Sequence, residues 1–368
     1  MATPPTISRK EISDAKSEAR CLADKGTLAV DNDLRNLDVL RAFAVLAVAG
    51  SHLYRYWGIA PRFAVFVDNF GVGGVLFFFV HTSLVLLLSM QRTRSNHLTL
   101  GFYIRRAFRI YPLCWTCIIL VLVTGLTDVA HEKIVQMGWR GILVNLALVQ
   151  NIIRYPNVEM PLWSLPWEVQ MYLFLPAFFL FMKKYDRTYV PIAMWFGATA
   201  LAITFTALNV PRAFHGTIFP PMFIGGMIAF RLLGRVRARF PSFLWPLAIL
   251  GCMLVRCLLL RGILIDTARN AAVNAIICLF LGLGVPLFAE VRSHWLRYVA
   301  HQLAKYSYGI YLLHIPSLAL VFNHFPGLPL PLKIGGFIAI TGVASVVTYH
   351  LIENPLIQWG RSIAKKVG

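Results

Sequence analysis

Asp38, Arg41 and His52 lie inside the apolar run Leu37–Trp57. A charged group within a membrane-length apolar helix costs roughly 2.5–3.5 kcal/mol or more, so it turns towards a protein interior or a polar cavity and marks a functional site. Arg41 and His52 are eleven residues apart, close to three helical turns, and therefore share a face. Asp38 sits one turn before Arg41 on the same stripe. At about 1.5 Å per residue, His52 lies roughly 16 Å deeper than Arg41, about half of a ~30 Å hydrocarbon core. With Arg41 at the membrane edge, His52 is near the centre, where a buried imidazole is more often used than merely tolerated. The plainer alternative is a helix end anchored by Asp38 and Arg41, with a histidine hydrogen-bonded to a neighbouring helix.

Further residues fit the same chemistry. Arg92, Arg94, Arg105, Arg106 and Arg109 crowd one loop and the entry to the next apolar run. Guanidinium forks match phosphate oxygens, so this group suits a phosphorylated ligand. Topology signalling plus contact with anionic lipid explains it equally well. Glu168 and Tyr172 are one turn apart, after Trp163 and Trp167, which suit either a membrane interface or a sugar-stacking platform. Ser307, Tyr311 and His314 form a stripe, with His314 again near mid-membrane and suited to substrate hydrogen bonding or packing. Glu353 reads as half of a structural ion pair. Cys114 and Cys117 form a CxxC without a second ligand pair, so both read as packing residues and no metal site is expected.

The elements that carry these groups must cross a membrane. Of the 368 residues, 58% are hydrophobic and the mean hydropathy is +0.65, far above a soluble domain. The net charge of +19 falls between apolar runs, so it reads as the positive-inside bias and not as nucleic-acid binding. The expected class is all-α, a polytopic membrane bundle of about ten transmembrane helices. Residues 1–33 are expected to be a disordered cytoplasmic tail, 34–358 the membrane domain and 359–368 a basic cytoplasmic tail. No apolar signal core precedes the first span, which is expected to stay in the mature protein. Gly141–Ile153 is too short to span. If it does not cross, every arginine cluster falls on one side. The crossings are then near 37–57, 70–90, 110–126, 167–182, 189–208, 217–233, 243–260, 270–289, 305–323 and 332–352, with both termini cytoplasmic. Midplane polar groups and broken helices also suit a secondary transporter or flippase, although no repeated half is visible.

In order along the chain, these motifs resemble the acyltransferase-3 family of integral-membrane enzymes that O-acylate surface and secreted carbohydrates. The resemblance runs from about Arg35 to Pro355. Asp38-x-x-Arg41 followed by His52 is similar to its first-helix signature, and Gly71 to Phe79 to its second. Arg106-x-x-Arg109 with Pro112 is similar to its basic motif, Trp163-Ser164-Leu165-x-x-Glu168 with Tyr172 to its WSL/Glu motif. Ser307-Tyr308, Tyr311-Leu312 and His314, and then Glu353-x-Pro355, complete the match. Where the family usually has Ser-Gly, this chain has Thr82-Ser83, which puts more bulk at the acyl pocket. No soluble esterase-like domain follows Pro355, so the resemblance is to the short, membrane-only form, and any step needing such a domain is expected from another protein.

The resemblance implies an acyl donor such as acetyl-CoA, used from the cytoplasm at the inner or plasma membrane, and no tightly bound cofactor. It implies that Arg105, Arg106 and Arg109 hold the CoA phosphates, and that His52, Glu168 and Arg41 are catalytic, with Glu168 orienting His52 or the acceptor. Thr82, Trp163, Ser164, Tyr172, Tyr311 and His314 would bind substrate. The implied acceptor is a carbohydrate: exopolysaccharide, lipopolysaccharide or a glycosylated small molecule. Direct transfer and an acyl-histidine intermediate both remain open, as does homo-oligomerisation.

Overall fold

A computed structural model describes residues 34–58, 63–93, 98–208, 210, 216–261 and 267–367. The tail 1–33, Arg94 and Cys21 lie outside the described residues. The described chain is helical, without a strand. Its principal helices are α1 (Arg35–Trp57), α2 (Ala64–Arg92), α3 (Leu98–Thr124), α4 (His131–Leu146), α5 (Gln150–Ile153), α6 (Leu165–Lys184), α7 (Tyr189–Ala207), α8 (Pro220–Leu232), α9 (Leu244–Leu259), α10 (Ala268–Leu287), α11 (His294–His324), α12 (Leu330–Thr348) and α13 (Asn354–Val367). A 3₁₀ turn over Met160–Trp163 precedes α6, and a π turn over Tyr349–Glu353 joins α12 to α13.

Among the described residues, seven segments are long and apolar enough to cross a membrane: α1, α2, α3, Met160–Lys184, α7, α10 and Leu330–Val367. The apolar helices α8 and α9 have 13 and 16 residues. Helix α11 has 31 residues but begins with polar turns carrying Arg297, His301 and Lys305. Together they form a helical membrane bundle of about ten helices. Helix α1 packs mainly against α2 and α11. A Cβ on Gly74 of α2 would stand 2.6 Å from the Ala44 carbonyl oxygen of α1, so only glycine lets these two backbones approach so closely.

The helix ends sort into two faces. Buried Asn36 gathers one of them: its amide donates to the Phe288 and Ala289 carbonyls, its Oδ1 accepts from Val291 N–H, and its carbonyl accepts from Trp245 Nε1. The end of α8 meets the end of α6 through Arg231 and Asp186, 2.5 Å apart. The opposite face joins α1 to α2 through Arg55 and Asp68 at 2.6 Å.

The segment 125–163 leaves this opposite face and returns to it. Thr127 Oγ1 donates to the Val158 carbonyl and Met160 N–H to Asp128. Between these points α4 reverses at Gly138 (φ 60°) and ends against the middle of α3, where Trp115 Nε1 and Tyr111 OH donate to the Leu146 and Ala147 carbonyls. These are the acceptors a helix C-terminus leaves open. Trp115 lies nine residues before the end of α3, so α4 reaches about 14 Å down that helix.

Three elements differ from expectation. Helices α3 and α11 begin at Leu98 and His294 instead of near 110 and 305; their added turns pack on neighbours, Tyr103 OH donating to the Leu173 carbonyl of α6 and His301 bonding Asp38 of α1. The last span continues through the π turn into α13, so most of the expected basic tail is a helix packed along α3.

Candidate active site

Five helices and the turn before α6 enclose a chamber of about 90 Å³. Arg41 comes from α1, His81 and Thr82 from α2, Arg106 and Arg109 from α3, Ser164 from the turn before α6, and Glu168 and Tyr172 from α6. Ser307, Tyr308 and Tyr311 close it from α11. Arg41, His81, Arg106 and Arg109 also line a wider vestibule of about 1520 Å³ that opens at the arginine-rich face. The two spaces form one passage from that face into the bundle.

The chamber's charges are held in place. Arg41 Nε donates to Ser307 Oγ at 2.6 Å, and Ser307 in turn donates to the Ala304 carbonyl. Tyr172 OH donates to Glu168, whose other neighbours are Arg41, Arg106 and Thr82. Arg109 Nη1 is 2.5 Å from Glu353 Oε1, and its guanidinium lies over the Tyr308 ring. The π turn brings Glu353, only 2% exposed, into the bundle; such turns recur at functional sites. Three buried nitrogens, Arg105 Nη2, Arg106 Nε and His81 Nδ1, have no hydrogen-bond partner among the described residues.

At the end of the chamber Ser164 Oγ and Tyr311 OH are 2.7 Å apart, and Tyr311 OH donates to the Pro161 carbonyl. Beyond the Tyr311 ring stands a histidine pair, with His314 Nε2 2.9 Å from His52 Nδ1. His314 Nδ1 faces the Tyr311 and Ile310 carbonyls at 2.8 and 3.2 Å. Carbonyls only accept, so that nitrogen carries the proton and His314 Nε2 is an acceptor. His52 Nδ1 must then donate, which leaves His52 Nε2 with a free lone pair. Pro316, inside α11, lacks an N–H and frees the Leu312 carbonyl, which accepts from Cys117 Sγ. Cys114 and Cys117 are both buried free thiols.

The expected site residues thus divide in two. Arg41, Thr82, Arg106, Arg109, Ser164, Glu168, Tyr172 and Tyr311 surround the chamber, and Arg105 stands at its vestibule. His52 and His314 form the pair behind Tyr311. Glu168 makes no contact with His52; His52 is oriented by His314 and by the Val48 backbone carbonyl. Arg41 and His52 do share a helix, about 16 Å apart along it, so they do not meet one reacting atom. Asp38 bonds His301 Nδ1 at 2.8 Å at the vestibule rim. Trp163 and Trp167 both pack on Phe219. His81 is the chamber residue to which the sequence motifs assign no role; its signal is a lone histidine in the middle of a membrane-length apolar run. The added bulk at Ser83 stays out of the chamber. Its hydroxyl donates to the Val80 carbonyl and faces Gly226 of α8, where a Cβ would collide with it.

A second groove of about 1250 Å³ opens between the ends of α2, α3, α6 and α8. There Arg235 and Arg231 both bind Asp186, holding its carboxyl below the usual range. It contains no histidine, so the chemistry concentrates in the chamber.

Fold and site together define a helical membrane protein with a charged chamber deep in its bundle, reached from a basic vestibule. A family model described as an acyltransferase domain matches residues 34–350, and the chain belongs to that acyltransferase family. It is 27% identical over 331 residues to the peptidoglycan O-acetyltransferase OatA of Listeria monocytogenes, covering 77% of this chain and 49% of the relative. It is also 27% identical over 181 residues to the acyltransferase MdmB of Streptomyces mycarofaciens, covering 46% and 44%. The chain spans about half the length of these curated relatives. No solved structure matches it.

Proposed function

We propose that this protein is an integral-membrane O-acyltransferase that moves an acyl group, acetyl in the simplest case, from a cytoplasmic acyl-CoA to a carbohydrate hydroxyl. The observation that carries this reading is the passage from a basic vestibule into a chamber lined by guanidiniums, with a histidine pair of defined tautomer behind its Tyr311 wall. The positive-inside bias assigns the arginine-rich face to the cytoplasm, where acyl-CoA is available. A relative named a peptidoglycan O-acetyltransferase supports a carbohydrate acceptor.

The donor's phosphates meet Arg105 and Arg106, and its extended arm runs along the chamber, where Arg41 and Arg106 offer donors to its amide carbonyls. Glu168 and Tyr172 keep those guanidiniums in position. The thioester reaches the Ser164–Tyr311 end, and the acceptor arrives from the opposite face. His52 Nε2 takes the acceptor's hydroxyl proton as the oxygen attacks the thioester carbonyl. The Ser164 hydroxyl turns from Tyr311, whose own proton stays on the Pro161 carbonyl, and donates to the resulting oxyanion. Its collapse breaks the C–S bond, forms the ester and releases CoA thiolate, which takes the proton back from the imidazolium.

The test uses purified protein in lipid nanodiscs with radiolabelled acetyl-CoA and a soluble oligosaccharide. Labelled ester should form with one free CoA thiol per ester. Movement of glycolipid across vesicles without thiol release would identify a flippase instead.

A further inference from the structure

The vestibule has a wall that the matched family region does not contain. Helix α13 follows the π turn and lines the vestibule with Gln358, Arg361 and Lys365. It is held there firmly. A Cβ on Gly360 would stand 2.5 Å from Phe108 Cβ of α3, so glycine is needed for this close approach, and Trp359 packs edge-on against the Phe108 ring. One turn on, Ala364 lies over Gly101 beside the Arg105 guanidinium. Arg361 faces Arg105 as a like charge, and Arg105 Nη2 is buried without a partner among the described residues. Packing cations together without a carboxylate between them is unfavourable unless an anion joins them. The vestibule's one carboxylate, Asp38, already bonds His301.

The order of cations along the passage gives this cluster a target. Arg106 and Arg109 border both chamber and vestibule, whereas Arg105, Arg361 and Lys365 border the vestibule alone. They stand outside the chamber, on its entry side. On an acyl-CoA threaded thioester-first, the diphosphate comes before the ribose 3′-phosphate.

We propose that Arg361 and Lys365 of α13, with Arg105, form a subsite for the phosphate most distant from the acyl group, the 3′-phosphate of a CoA donor. This rests on the acyl-CoA reading above. It makes the C-terminal helix a specificity element that separates CoA from donors lacking that phosphate.

The experiment measures binding of acetyl-CoA and acetyl-3′-dephospho-CoA to the full chain at fixed ionic strength, in nanodiscs of zwitterionic lipid. Wild type should prefer acetyl-CoA by roughly three- to tenfold, the size expected of exposed charge pairs. Arg361→Ala combined with Lys365→Ala should lose that preference by weakening acetyl-CoA alone, and Arg361→Lys should restore part of it. Both side chains are exposed, so the variants should fold, and unchanged binding of the dephospho donor checks this. Binding with an unchanged preference in the variants overturns this inference and leaves the donor reading intact. Failure of wild type to bind either donor overturns both. If the substitutions change only attachment to vesicles containing anionic lipid, the cluster serves lipid headgroups and the proposal falls.

Discussion

His52 and His314 act as one unit, and that changes what each substitution should do. His314 Nδ1 is committed to two backbone carbonyls, so its Nε2 forces the proton of His52 onto Nδ1. His52→Ala should lower acyl transfer by about 10²–10⁴-fold, the usual contribution of a positioned base. His314→Ala should lower kcat and leave the acceptor KM nearly unchanged, because it frees the tautomer and removes no substrate contact; His314→Gln, which keeps an acceptor, should recover part of the loss. Steady-state kinetics at matched membrane levels decide this, and an effect of His314→Ala on acceptor KM alone would return that residue to the substrate site. The arginines separate in the same way. Arg106 Nε has no partner, so Arg106→Ala should weaken donor binding about 10- to 100-fold, for a lost charge-assisted contact worth roughly 1.5–3 kcal/mol, at unchanged melting temperature. Arg109→Ala strands the buried Glu353 carboxylate and should cost about 3–5 kcal/mol of stability. Donor titration and thermal melts on both variants would show it, and equal melting temperatures would refute it. Spacing alone revealed that His52 and Arg41 share a face, with His52 about 16 Å deeper. It could not reveal that His314 is the partner, since that contact joins residues 262 positions apart.

The half-helix α4 shows how an element becomes part of a site without supplying a reactive group. The shortness of Gly141–Ile153 and the distribution of the arginine clusters argue against a crossing. The actual path of α4 depends on backbone features that side-chain pattern does not encode: Gly138, and the positive φ of Leu148 and Arg154. Leu148 is fully buried at φ 55°, a conformation costing a non-glycine residue about 1–2 kcal/mol, and it lies just upstream of the turn that presents Ser164. Asn145 clamps this loop. Its amide donates to the Gly141 and Pro156 carbonyls, and its Oδ1 accepts from Val158 N–H. Asn145→Ala should therefore destabilise the protein by about 1–3 kcal/mol for the buried groups left unpaired and reduce transfer through misplaced Ser164. Thermal melts with limited proteolysis at 154–158 would check it; wild-type protease resistance would mean that the clamp is dispensable. The early starts of α3 and α11 were illegible for a related reason. An arginine at a membrane edge reads as a loop signal, and only its partner on another helix, Glu353 for Arg109, makes it part of a longer helix.

At the scale of the molecule, the return of 125–163 to the face it left decides on which side every later loop falls. Thr127 meets Val158 and Asp128 meets Met160, so this segment adds no crossing. The loops carrying Arg187 and Arg237 then share a face with the start of α1, as the contacts of Asn36 with Phe288, Ala289 and Trp245 require. The proposed orientation, which follows the positive-inside bias, turns that face to the cytoplasm, where the proposed donor enters. Single cysteines at 187, 237 and 327, introduced into a chain otherwise free of cysteine, read this out on intact cells with a membrane-impermeant maleimide. Position 327 lies in the turn between α11 and α12, at the opposite face, and should label readily; 187 and 237 should label only after the membrane is permeabilised. Labelling of 187 and 237 with 327 protected would invert the protein and move the vestibule outside, away from acyl-CoA. Labelling of all three would mean that faces joined in the fold are not joined in the membrane. Protection of 187 and 237 with exposure of 327 would put the arginines of the proposed donor site on the cytoplasmic side and the acceptor's approach to His52 on the other, as the proposed reaction needs.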